Sequence, residues 1–404
     1  FPVRQTALRF TAPYRDASLS IDVRVEDLLS RMTTQEKIGQ LALVEKNSIT
    51  DTSDLARYGI GALLGGGGGN PDPNTPEAWL AMINNFQHAA QQSRLGIPLL
   101  YGVDAVHGHS NVYGATIFPH ALGLGATQDA DLVRRIGEVT AQELFATGVN
   151  WSFSPTVDVV DDTRWGRTYE TFGSDPTVVS DLSVAYLTGL QSKAVIGTAK
   201  HYLGTGAMVW GSSTNPEFSI DQGATVLDET ALRTTHLPPF AAVIDAGVQS
   251  VMVGHISWNG IELTAHQYLL TDVLKNELGF GGFIVSDWHG VDEISKNKYL
   301  SVITAINAGV DMVMLPFDFK TFTASMERAL DTGAITHERL DDATRRILRA
   351  KFSIGLFDTK SIKNEELLAV GSSEHRTVAR EAVQKSLVLL KDTNTLPLSK
   401  NLSH

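Results

Sequence analysis

Gly281-Gly282-Phe283-Ile284-Val285-Ser286-Asp287-Trp288 is an unbroken apolar run that ends abruptly in a carboxylate and an indole. Such a run reads as a buried parallel strand whose last side chains emerge at a rim. A parallel barrel keeps its reactive groups at the C-terminal ends of its strands, so Asp287 is the first candidate for chemistry. The plainer reading is that Asp287 caps a following helix, since aspartate is a common N-cap. This stretch alone leaves the two readings level, and other strands must decide.

The same ending recurs upstream. The segment 97–103 (IPLLYGV) runs into Asp104, and 195–201 ends in Lys200-His201. Further strands are expected at 60–64, 149–153, 250–254 and 311–315. Helical spacing is read at 22–37, at 34–43 behind a Thr33 cap, and at 79–93, 131–147, 178–191, 268–278, 299–308, 322–330 and 339–351. A helix at 227–246 is expected to be interrupted by Pro238-Pro239. Strands alternating with helices mean a parallel sheet with helices outside it. A barrel and an open doubly wound sheet both satisfy that pattern. Asp104, His201 and Asp287 lie on three widely separated strands, and a ring brings such ends to one mouth.

The expected fold is therefore α/β, a (β/α)8 TIM-like barrel over residues 1–358. Residues 359–404 read as a linker and the first helix and strand of a truncated second domain. There, 373–391 is a basic-faced helix running into Ser386-Leu387-Val388-Leu389-Leu390, a strand with no partner in the few residues after it.

Composition narrows the function classes. The chain has 404 residues, 43% apolar and 19% charged, ordinary for a globular protein, and its net charge of -12 argues against a nucleic-acid footprint. It has no cysteine, which removes disulfides, thiolate metal sites and a cysteine nucleophile. No run approaches the roughly 18 apolar residues of a membrane span. The chain begins Phe1-Pro2 without methionine or a visible signal peptide, and reads as a processed or trimmed product; a secreted or periplasmic location is the expectation.

Asp287 and Asp104 give two carboxylates able to face one pocket. Such pairs suit glycosidic bond cleavage, and equally suit sugar binding, because a carboxylate makes short, strong hydrogen bonds to vicinal hydroxyls. Lys200 at a buried strand end calls for a charged partner, Asp104 or Asp287. Adjacent strand residues point to opposite faces. For Lys200 and His201 both to reach the pocket, the backbone must bulge or turn cis there. His107-Gly108-His109, with a later Lys, His and Asp, also resembles the ligand set of a metal-dependent hydrolase; the preferred reading is metal-free, without a cofactor. In the loop 162–170, Arg164 and Glu170 read as salt-bridged structure, whereas Arg167 has the reach to bind hydroxyls or orient Asp104. Trp288 reads as a sugar-stacking platform. The run Gly65 to Gly69 lacks a phosphate-loop pattern and reads as a tight turn.

The segments YGVDAVHGHSNVYGATIFPH, RWGRTYETFGSDP, GTAKHYLGTG and GFIVSDWHGVDEI together resemble family 3 glycoside hydrolases, the β-glucosidase and exo-β-glucanase group. The resemblance implies a (β/α)8-like barrel followed by an (α/β)6 sandwich. It also implies a retaining mechanism that removes glucose from the non-reducing ends of β-glucans or β-glucosides. On that pattern Asp287 is the nucleophile, Asp104, Arg167, Lys200 and His201 hold the sugar hydroxyls, and Trp288 lines the leaving-group side. The acid/base is expected from the second domain. Single-domain relatives use a histidine in a loop after the Lys-His pair, and here that loop, 208–217, has none. Glu217 lies near an organising acid of the family, and His255 stands where tyrosine is common. The alternatives are a carbohydrate-binding barrel that is non-catalytic or weakly active, and a metal-dependent hydrolase. Without a general acid the chain is expected to favour aryl glucosides over natural β-glucans, since that assistance is worth about 10²–10⁴-fold.

Overall fold

The computed structural model describes residues 12–65, 68–358, 362–393 and 396–398. Short, apolar strands separated by long helical segments form a parallel ring: β1 (Ala42–Glu45), β2 (Ala62–Leu64), β3 (Leu100–Val103), β4 (Trp151–Ser152), β5 (Ile196–Tyr202), β6 (Ser250–Val253), β7 (Phe283–Val285) and β8 (Val313–Leu315). Neighbours pair in the order β7-β6-β5-β4-β3-β2-β1-β8. A parallel bridge between Val285 and Met312 closes β7 onto β8, so the ring is a (β/α)8-like barrel rather than an open sheet. Helices between the strands start on side-chain caps, among them Thr75, Asp129, Asp175, Asn297 and Thr336, each accepting a first-turn N–H.

Aromatic rings fill the barrel interior. Trp151 lies edge-on to Phe153 at 4.9 Å and to Phe283 at 5.3 Å. Its indole N–H donates to Thr198 Oγ1 at 2.7 Å, so the buried ring leaves no donor unpaired. Gly102 in β3 makes room for this layer: a Cβ there would sit 2.4 Å from the Phe153 ring.

Charge seals the opposite end. Asp311, just before β8, is fully buried and holds Lys275 at 2.7 Å and Arg339 at 2.6 Å. Lys351, from the helix His337–Ser353, is also fully buried, and burial draws its pKa down to about 7. Its Nζ donates to Gln40 Oε1 (2.6 Å), Gly61 O (2.8 Å) and Pro98 O (2.9 Å), joining the segments around β1, β2 and β3.

Three expectations need correction. The segment 34–43 is not one helix. The capping box of Thr33 and Glu36 starts a helix that stops at Gln40, and Ala42–Glu45 is the first barrel strand. The prolines do not interrupt the helix at 227–246. A wider π-helical turn, Leu232–His236, precedes them, and they stand in the first turn of Leu237–Asp245, where a missing N–H costs least. The helix near the C-terminus, Ser373–Ser386, is shorter than expected, and 387–390 form no strand; Leu387 to Leu390 are exposed.

That last helix packs against the barrel helix Ala130–Ala146. Glu143, fully buried in the helix Ala130–Ala146, accepts from Thr116 N (2.8 Å), Thr116 Oγ1 (2.7 Å), Gly371 N (2.9 Å) and His375 Nδ1 (2.8 Å). Burial would raise the Glu143 pKa, but His375 and these donors hold it below the usual carboxylate value. Arg135 adds a bidentate pair to Glu381. Glu143→Ala is expected to loosen this anchor, with hydrogen-exchange protection of 373–386 falling by about 10- to 100-fold while β7 keeps its protection. Unchanged protection in that helix would show that Glu143 does not hold it.

Candidate active site

The strand ends position the polar groups. Asp104 follows β3 directly, Lys200 and His201 close β5, and Asp287 and Trp288 stand just beyond β7, while Arg167 comes from the loop after β4. All six line one cavity of about 550 Å³ at the C-terminal end of the ring. No helix starts at Asp287: its Oδ1 accepts the N–H of Trp288 at 2.5 Å, and the next residues are turns. The carboxylate is therefore not spent on a helix cap.

Lys200 and His201 both reach the cavity. The peptide bond between them is cis, and the β5–β6 register shifts between Lys200 and Tyr202. Lys200 Nζ, nearly buried, donates to Asp104 Oδ1 at 2.8 Å, leaving most of the Asp104 side chain open to the cavity. Arg167 does not orient Asp104. Its Nε and Nη2 grip the two oxygens of Glu170 at 2.9 and 3.0 Å, and Nη2 also reaches His201 Nε2 at 3.0 Å. Burial alone would depress the Arg167 pKa, but Glu170 first and Asp287 after it raise it further, so the guanidinium is a fixed positive charge beside Asp287. Arg164 pairs with Asp162 instead and stacks on Trp210, which agrees with its reading as loop structure.

His201 is fully buried, and burial, then Arg167 and Lys200, push its pKa well below the ordinary histidine value. The ring is neutral at neutral pH, so its 3.9 Å approach to Asp287 Oδ2 is not an ion pair. Behind it, His201 Nδ1 lies 2.8 Å from Asp158 Oδ2, which also accepts the His201 backbone N–H at 3.2 Å. Burial raises the Asp158 pKa to about 7 against the pull of Arg167.

Some expectations fall away from the site. Glu217 is exposed and lines neither this cavity nor a smaller annex of about 180 Å³ beside it. The annex is instead closed by Asp221, Gln222 and His255, and Asp221 is fixed by the indole N–H of Trp165 at 2.8 Å. The His107/His109 pair is divided. His109 is fully buried with Nε2 3.0 Å from Thr147 Oγ1, and burial takes its pKa to about 4; His107 Nδ1 meets Phe118 O at 3.2 Å. Among the described residues no group of three His, Asp or Glu is arranged to hold a metal ion.

Several site residues escaped the sequence reading. Glu45 and Asn47 line the cavity from the end of β1, a strand mistaken for helix. Phe317, 70% exposed just past β8, stands edge-on to Trp288 with centroids 6.0 Å apart. Asp158 carried a legible signal: Ser-Pro-Thr-Val-Asp-Val-Val places a carboxylate in an apolar run, as at Asp104 and Asp287.

Residues 33–350 match the family model described as glycosyl hydrolase family 3 N terminal domain. The chain belongs to glycosyl hydrolase family 3. Among family 3 relatives, a lysosomal beta glucosidase of Dictyostelium discoideum is 32% identical over 94% of this chain and 50% of its own length. A periplasmic beta-glucosidase of Salmonella typhimurium is 34% identical over 94% of this chain and 49% of its own. The crystal structure of an exo-1,3/1,4-beta-glucanase from a Pseudoalteromonas species superposes with a TM-score of 0.87 at 41% identity, covering 94% of this chain and 49% of that one. The chain thus spans about half the length of these relatives, and the family 3 barrel is the half it represents.

Proposed function

We propose that this chain is the barrel of a retaining, exo-acting β-glucosidase or exo-β-glucanase that releases glucose from non-reducing ends. The observation that carries the reading is the convergence of Asp104, Arg167, Lys200, His201 and Asp287 on one cavity, with Trp288 at its rim. Two carboxylates, a lysine, an arginine and an imidazole match a ring of sugar hydroxyls better than an apolar ligand. The relatives named as beta-glucosidases and the exo-glucanase structure support the substrate class.

In the first step an Asp287 carboxylate oxygen attacks the anomeric carbon while the bond to the leaving-group oxygen breaks. That oxygen takes a proton from a general acid, expected from a second domain. Water then attacks the same carbon, losing its proton to the conjugate base, and the ester bond to Asp287 breaks. Arg167 holds a positive charge near Asp287, while Lys200 and Asp104 hold hydroxyls and fix the ring over it. Trp288 offers an indole face on the leaving-group side. A periplasmic or secreted location is proposed from the periplasmic relatives. Among the described residues no helix is long and apolar enough to cross a membrane.

The test is intact-protein mass spectrometry after incubation with 2-deoxy-2-fluoro-β-D-glucosyl fluoride, whose leaving group needs no acid. A mass gain mapped to the peptide holding Asp287 is expected. Glucose binding without any adduct would overturn the catalytic reading in favour of a binding barrel.

A further inference from the structure

Arg167 has only N–H groups to offer, so at 3.0 Å from its Nη2 the His201 Nε2 must be an acceptor. In a neutral imidazole the proton then sits on Nδ1, which faces Asp158 Oδ2 at 2.8 Å. That oxygen also takes the His201 backbone N–H, and Asp158 is itself only 2% exposed. Its other oxygen, Oδ1, is buried with no hydrogen-bond partner among the described residues, so the side chain is committed to His201 alone.

We infer that Asp158 is a positioning residue that fixes the Nδ1–H tautomer of His201 and, through it, the placement of Arg167 beside Asp287. The reverse tautomer would point Nε2–H at an Arg167 N–H. Two donors in contact repel, and Arg167, gripped on its other side by Glu170, would shift away from the carboxylate it supports.

The test has two arms, and only the kinetic one rests on the glycosidase reading. In the first, the chain is labelled with ¹⁵N-histidine, the His201 signal is assigned by its loss in His201→Gln, and the tautomer is read from the two ring nitrogens. The expected result is Nδ1–H in the wild type and in Asp158→Asn, whose amide oxygen can replace Oδ2, with a shift toward Nε2–H in Asp158→Ala. In the second, the rate of adduct formation with 2-deoxy-2-fluoro-β-D-glucosyl fluoride falls about 10²-fold in Asp158→Ala, as misplaced reacting groups do, and recovers to within about tenfold in Asp158→Asn. Nε2–H in the wild type would overturn the proposal, whether or not the variants fold. So would an unchanged tautomer or a wild-type adduct rate in Asp158→Ala. If the wild type forms no adduct, the glycosidase reading fails while the tautomers still decide the role of Asp158.

Discussion

Asp287→Gly is expected to lower turnover of 2,4-dinitrophenyl β-glucoside by about 10⁴-fold or more, the scale of removing an attacking group. The dinitrophenolate leaves without protonation, so the loss reports the nucleophile alone. Added azide should restore part of the rate in this variant by entering the space left by the carboxylate. It would attack the anomeric carbon from the same side as Asp287, and the product would be the α-glucosyl azide. That stereochemistry separates a missing nucleophile from a damaged fold. Azide without effect, or a β-product, would place the attacking group elsewhere. The structure gives the reason for so large an effect: Asp287 is the carboxylate beside the fixed Arg167 charge, and no imidazolium shares its load.

The largest expected effect on stability lies at the other end of the barrel. Asp311→Ala leaves Lys275 and Arg339 with only the more exposed Asp342 as a shared anion, and breaking such a buried pair costs about 3–5 kcal/mol. For a chain of this size that is a fall in Tm on the order of 4–6 °C. The effect should depend on pH. Burial alone would raise the Asp311 pKa, but Lys275 and then Arg339 hold it below the ordinary carboxylate value. A depressed pKa contributes stability that is present above the unfolded pKa of about 4 and is lost as pH falls through the folded value. Urea unfolding at pH 7 should therefore show the full difference between wild type and variant, and the difference should shrink in acid below that range. Asp311→Asn, which keeps a hydrogen bond to the N–H of Ile284, should lose less. A constant difference across pH would mean that the carboxylate charge is not what Lys275 and Arg339 require.

What could be read from the sequence tracked the places where one physical signal dominated. The runs ending in Asp104, Lys200-His201 and Asp287 were legible because an apolar strand that stops at a charge leaves few alternatives. The departure from regular backbone at Lys200-His201 was legible from parity, since two neighbours on a flat strand cannot share a face. β1 was lost because Ile38 and Leu41 keep a helical spacing, and the nearest glycine, Gly39, lies inside the helix rather than after it, so it does not mark the change at Leu41. Losing β1 also lost Glu45 and Asn47. Asp221 and Gln222 were missed for another reason: the loop carrying them has no periodicity, and its packing depends on the Trp165 indole from a distant loop. Asp158 was missed although valines on both sides mark it as buried.

The closed ring has a bearing on how this chain behaves in concentrated solution. With β7 bridged to β8, the barrel wall among the described residues offers no unpaired strand edge for another copy to extend.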